Sequence, residues 1–186
     1  MRIRLREKHT PEMLAELYDG VYDHRKWAEH VARVDWTIRR LQHFIDLRPE
    51  ITRVVDLSCG DGAILNGLNV PNKVFGDIVP ADHLTIAPIA AEIAVRYMTG
   101  DLLICSETLE HLDDPDQFLR DAQENFKFIA ITTPLGESDP EKNYEHYWGW
   151  DLIGVNKMLR ITQWYPLVEE TLPLDYYTYQ FWIARS

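Results

Sequence analysis

Val54-Val55-Asp56-Leu57-Ser58-Cys59-Gly60-Asp61-Gly62-Ala63-Ile64-Leu65 is the stretch that decides the fold of this chain. A β-branched run ends in an acidic residue, which reads as a buried strand from Arg53 to Leu57. The small residues Ser58 to Gly62 make a tight turn, and the apolar residues after them recur at helical spacing. Downstream, Lys73 to Asp77 reads as a second strand, His83 to Ala87 as a less regular third, Leu102 to Cys105 as a fourth and Phe128 to Thr132 as a fifth. Strands alternating with helices imply a parallel α/β sheet. Ile161 to Leu167 and Tyr177 to Ala184 complete it as a hairpin-like terminal pair. In such sheets a ligand binds at the carboxyl ends of the strands, here beside Leu57 to Gly62.

Helices precede the sheet. Thr10-Pro11-Glu12 reads as an N-cap followed by proline at the first helical position, opening a helix that stops at Gly20. A longer helix starts near Asp23. Trp27, Val31, Val34, Ile38, Leu41 and Ile45 form its apolar stripe, and Arg48-Pro49 ends it. This divides the chain into an N-terminal helical lid, 1–50, and an α/β domain, 51–186. Asp114, before Pro115, and Asp151 are expected to cap two later helices. Between Asp77 and Asp101 there is too little chain for two full helices, because one parallel crossover alone takes about a dozen residues. A loop or single turn is expected in place of one of them.

Composition narrows the function classes. The chain has 186 residues, 46% apolar and 26% charged, as expected of one globular domain. No apolar run approaches the ~18 residues of a membrane span. The net charge of −11 disfavours broad contact with nucleic acid or anionic membrane. Met1 to Arg6 is basic and lacks the apolar core of a leader peptide. Cys59 and Cys105, both near strand ends, are expected as reduced thiols in a cytoplasmic protein.

The segment Asp56 to Gly62 resembles motif I of the class I S-adenosylmethionine-dependent methyltransferases, D-x-G-x-G-x-G or D-x-G-C-G-x-G. Ser58 stands where the first glycine of that motif usually sits, and a positive φ there would strain it. The resemblance implies a trimmed Rossmann-like sheet, mostly parallel with an antiparallel C-terminal strand, and S-adenosylmethionine as cofactor. It implies that Asp56 organises the loop and the methionine ammonium, while Ser58, Cys59 and Gly60 bring backbone to the ligand. Asp77 would take the ribose hydroxyls; the alternatives are a turn aspartate or a register that puts it near adenine. Ile78, Ile89 and Ser106 complete the expected cofactor contacts.

A second cluster, Ser106-Glu107-Thr108-Leu109-Glu110-His111-Leu112-Asp113-Asp114-Pro115, is similar to the family's fourth motif, E-x-L-E-H-L-x-D-P. In a helical turn Glu107, Glu110 and His111 share one face, a donor set for magnesium, manganese, iron or zinc. The same residues serve many methyltransferases without metal, as loop structure or substrate contacts. Asn143-Tyr144-Glu145-His146-Tyr147-Trp148 supplies a further histidine in an aromatic setting. Together these residues resemble the small-RNA 3′-end 2′-O-methyltransferases, and the first part also resembles the ubiquinone-pathway O-methyltransferases. The implied metal ligands are Glu107, Glu110, His111 and His146. Without metal, His111 or His146 would be the general base. The expected activity is O-methylation of a small-molecule hydroxyl. The alternatives are 2′-O-methylation of an RNA end and a cofactor-binding protein of this fold that does no chemistry.

Overall fold

A computed structural model describes residues 1–186, the side chains of Pro11 and Ala15 excepted. Its centre is a six-stranded sheet of β2 (Arg53–Asp56), β3 (Asn72–Phe75), β4 (Gly100–Ser106), β5 (Phe126–Pro134), β7 (Tyr165–Pro173) and β8 (Thr178–Arg185). The strand order is β3-β2-β4-β5-β8-β7. β3, β2, β4 and β5 are parallel. β8 runs antiparallel between β5 and β7. The sequence places the hairpin correctly but starts its first strand too early: Ile161 ends the helix α6 (Leu152–Ile161). Thr162 continues that turn by donating its hydroxyl to the Met158 carbonyl.

The middle of the chain is trimmed, as expected. Only one helical turn, α4 (Ala91–Ala94), lies between β3 and β4. The expected strand His83 to Ala87 does not form. Thr85 caps β3 instead: its N–H donates to the Phe75 carbonyl and its Oγ1 accepts from the Phe75 N–H. A side chain thus replaces the ladder bond a further strand would make.

The expected caps are present. Asp114 accepts from the Gln117 N–H at the start of α5 (Pro115–Asn125), and Asp151 accepts from the Gly154 N–H at the start of α6. The first helix, α1 (Pro11–Leu17), has Thr10 as its cap. The second, α2 (Ala28–Asp46), starts later than the sequence suggests. Val34, Leu41 and Ile45 of the expected stripe are buried, together with Trp36 and Phe44, but Trp27 and Val31 are exposed. The buried residues join Val54, Leu102, Ile104 and Phe181 in one core cluster. Each large apolar side chain so buried contributes about 1.5–3 kcal/mol, so α2 is part of the sheet's packing.

Arg2-Ile3-Arg4 forms β1, which pairs antiparallel with β6 (Trp148–Trp150). The Arg2 guanidinium stacks 3.9 Å from the centroid of the Trp148 ring. Neither strand is expected from the sequence, in which Met1 to Arg6 reads only as a basic segment. Among the described residues no helix is long and apolar enough to cross a membrane, and both cysteines are buried free thiols.

Candidate active site

The strand order reverses between β2 and β4, and loops diverging at such a switch point leave a crevice above the sheet. A cavity of about 580 Å³ opens there. Its floor joins the loop after β2 to the loop after β4, through a 2.6 Å hydrogen bond between the hydroxyls of Ser58 and Thr108. Gly60 and Gly62 adopt positive φ of 54° and 74°, whereas Ser58 does not. The departure from the glycine motif is therefore unstrained, and the serine hydroxyl is used to tie the two loops.

Asp77 lines this cavity. One carboxylate oxygen accepts from the Gly60 N–H at 2.8 Å and the other from the Val79 N–H at 2.9 Å. Each oxygen keeps a lone pair for a ligand. Ser58, Gly60, Ile78 and Ser106 also line the cavity. Asp56, Cys59 and Ile89 do not. Asp56 is buried beneath the loop and accepts from the Ser58 N–H, and burial pushes its carboxyl up to about 7. Cys59 points into the core, with its sulfur 3.7 Å from His83 Nε2. Ile89 packs on the sheet's core, leaving Ala90 and Ala91 at the wall.

The second half of the site follows β4. The expected helical turn is a short 3-10 turn over Leu109–His111. Glu107 precedes it in a left-handed conformation, φ 51°. It is therefore not on a common helical face with Glu110 and His111. Its carboxylate accepts from the Thr132 hydroxyl. A non-glycine residue held at positive φ stores strain, which recurs at functional sites.

Glu110, His111 and His146 do converge. One ligand atom from each lies within 4.8 Å of the others. Glu110 is fully buried, and neither of its carboxylate oxygens has a partner; His111 Nδ1 has none either. Burial and the nearby Glu107 charge hold the Glu110 carboxyl well above the usual range. Burial also depresses His111 to about 3, with His146 adding to the shift. The His111 imidazole is thus neutral at physiological pH, and its ring meets that of His146 edge-on at 4.8 Å.

The third wall comes from the N-terminal part of the chain. Tyr22, His24, His30 and Arg33 line it. His24 Nδ1 lies 2.7 Å from Asp61 of the glycine loop, and the Asp61 N–H donates to the Tyr22 carbonyl. Arg33 is only 2% exposed. It donates to the Ser106 hydroxyl at 2.9 Å, its Nε has no partner, and it joins no ion pair among the described residues. Burial, then the Arg33 charge, lowers His30 to about 4. The sequence puts Arg33 on the polar face of α2, opposite the apolar stripe, whereas the structure buries it at the cavity wall. Sequence reading missed Glu137, whose carboxylate lies 2.5 Å from His146 Nδ1.

The methyltransferase-domain family model matches residues 23–171, and the chain belongs to that family. Its fold is that of the class I S-adenosylmethionine-dependent methyltransferases. One solved structure of this fold is magnesium protoporphyrin IX methyltransferase from Synechocystis PCC 6803 with bound SAM. It is 14% identical, with 94% of this chain and 90% of that one covered and a TM-score of 0.65. Another is 1,6-didemethyltoxoflavin-N1-methyltransferase from Burkholderia thailandensis with bound 1,6-didemethyltoxoflavin and S-adenosylhomocysteine, 14% identical, covering 97% and 92%, TM-score 0.61. A SAM-dependent methyltransferase from Leishmania major is 19% identical, covering 85% and 74%, TM-score 0.64. Identities this low establish a common fold. No curated protein matches the sequence.

Proposed function

We propose that this chain transfers the methyl group of S-adenosylmethionine to a hydroxyl oxygen of a small molecule, assisted by a divalent cation. The carrying observation is the convergence of an unpartnered Glu110 carboxylate, His111 and His146 at the end of the crevice where this fold binds its ligand. Their fit to a cation is chemical. A buried carboxylate without a hydrogen bond is costly unless it is protonated or meets a positive charge. Two imidazoles and a carboxylate are a common divalent donor set. Glu107 is close enough to raise the pKa of Glu110 and would complete the charge. When bound, the cation would lower the acceptor hydroxyl's pKa and orient its oxygen.

The methyl donor fits the other half of the cavity. The free lone pairs of Asp77 suit a pair of ribose hydroxyls. The Arg33 guanidinium, which makes no direct ion pair, suits the donor's carboxylate. Ile78 and Ala91 flank the adenine end. Asp56 acts from below, by fixing the Ser58 backbone. Residues before α2 cover the site, latched by His24 on Asp61.

Transfer forms an O–CH3 bond, breaks the S–CH3 bond, leaves the electron pair on sulfur and releases the acceptor's proton. With the cation bound, the polarised hydroxyl would lose its proton to solvent; without it, His146 or the neutral His111 would take that proton, and in either case alignment of donor and acceptor supplies much of the rate. The acidic chain charge favours a small acceptor over an RNA end.

A labelled-methyl assay tests this with phenols, catechols and aliphatic alcohols beside an RNA oligonucleotide and an amine panel. Transfer to a small hydroxyl acceptor, lost on chelation and restored by a divalent cation, is the expected outcome. Transfer only to RNA or to amines would overturn the acceptor class. Full activity under excess chelator would remove the cation and leave the histidines as bases.

A further inference from the structure

The pocket's chemistry depends on a lone pair at His146, and the structure shows what controls it. Glu137 follows β5 and is buried. One of its carboxylate oxygens faces His146 Nδ1 at 2.5 Å, and the other accepts from the Tyr177 hydroxyl at 3.1 Å. An ionised carboxylate only accepts hydrogen bonds, so Nδ1 carries the imidazole hydrogen. Nε2 is then the lone-pair nitrogen of the neutral ring. Consistently, the Asn143 amide nitrogen lies 3.0 Å from Nε2, in the donor's place.

The backbone under Glu137 is built to hold this position. Gly136 takes φ 72°, and its N–H donates to the Trp150 carbonyl at 2.7 Å. A Cβ on Gly149 would come within 1.9 Å of the Glu137 carbonyl oxygen. Strand β6 thus passes the Glu137 main chain at a distance only glycine permits.

We infer that Glu137 is the positioning residue of the site: it fixes His146 in the Nδ1–H tautomer, so that Nε2, bonded by the Asn143 amide in the ligand-free site, is the nitrogen whose lone pair a cation or an acceptor proton would take. This rests on the reading of the cavity as the transfer site, and it serves His146 either as a cation ligand or as the base. Outer carboxylates of this kind orient histidine ligands and raise their basicity.

The test uses 15N-histidine-labelled full-length protein at pH 8 without metal, with the His146 signals identified by their loss in His146→Ala. Wild type should show a protonated Nδ1 and a bare Nε2. Glu137→Ala should shift the hydrogen toward Nε2. Glu137→Gln, whose carbonyl still accepts, should keep the tautomer and move the Nδ1 proton upfield. Calorimetry with Mn2+ alone supplies the second readout. Both Glu137 variants should bind it about 10–100-fold more weakly, with S-adenosylhomocysteine affinity unchanged. Glu137→Gln should keep the melting temperature, whereas Glu137→Ala should lower it by leaving the His146 Nδ1–H and the Tyr177 hydroxyl without their acceptor. On a His146→Ala background, Glu137→Gln should cost nothing further. An unchanged tautomer in Glu137→Ala overturns the inference, as does an unshifted Nδ1 proton in Glu137→Gln. An undiminished loss on the His146→Ala background overturns it too. If the tautomer responds but wild type binds no Mn2+, the cation reading fails and the positioning role stands.

Discussion

Arg33→Met separates the donor's carboxylate from the rest of the donor. Arg33 is 2% exposed and makes no direct ion pair; its hydrogen-bond partner is the hydroxyl of Ser106, and its charge acts at longer range on the buried Glu107. Burying an ion costs several kcal/mol, and methionine keeps the side chain's length and packing without the charge. Arg33 also offsets the buried Glu107 charge, so the ligand-free variant should melt lower than wild type while keeping the fold, and binding is read on the folded variant. Ser106 keeps a partner, because its hydroxyl also meets that of Thr132 at 2.7 Å. A hydrogen bond to a charged group is worth about 1.5–3 kcal/mol, so S-adenosylhomocysteine should bind roughly 10- to 150-fold more weakly. 5′-Methylthioadenosine carries the same nucleoside and no amino acid, and its affinity should not change. Isothermal calorimetry with the two ligands on the two proteins reads the difference directly. Equal losses for both ligands, or no loss for either in a folded variant, would refute the assignment of Arg33.

Asp77→Ala should weaken both of those ligands together by about 1–3 kcal/mol, because the ribose is common to them; calorimetry checks it, and a loss confined to S-adenosylhomocysteine would place Asp77 elsewhere. The folded Asp56 carboxyl titrates at about 7 against ~3.9 in an unfolded chain, so the native state holds the extra proton between those values. Stability linked to Asp56 is then complete below about pH 4 and is lost as pH rises through 7. Asp56→Asn should flatten the denaturant midpoint between pH 5 and pH 8. Asp101 shows the opposite sign. Although burial opposes it, its ion pair with Lys127 and its hydrogen bonds from Thr52 and Arg53 lower its carboxyl to about 2. The stability it supplies is present above about pH 4 and lost as pH falls toward 2, so Asp101→Asn should unfold less steeply in acid by circular dichroism.

The parallel sheet was legible because buried strands write continuous apolar runs and their helices carry caps such as Asp114 and Asp151. The glycine loop after β2 was legible because glycine at positive φ leaves a sequence signature, and Ser58 showed which of those positions can do without it. What escaped was set by distant parts of the chain. Asp56, at the end of β2, and Cys59, in the loop beside Gly60, are both buried beneath the loop rather than set in the cavity wall. Trp27 fits the helical stripe but only precedes the helix, which begins at Ala28, and Val31 in its first turn is exposed as well. Glu110 and His146 meet only through folding, and the 3-10 turn that brings Glu110 and His111 in leaves Glu107 behind at positive φ. Glu137 and Arg33 lie outside any local motif, so no spacing rule could reach them. A buried charge without a direct ion pair identifies Arg33, and only coordinates show it.

One crystal structure with S-adenosylhomocysteine tests the central claim most directly. The ligand should lie in the crevice between β2 and β4, with its ribose hydroxyls on Asp77, its carboxylate on Arg33 and its sulfur facing the cluster of Glu110, His111 and His146. A ligand bound with its sulfur turned away from that cluster, or with neither Asp77 nor Arg33 in contact, would contradict the assignment of this cavity as a methyl-transfer site.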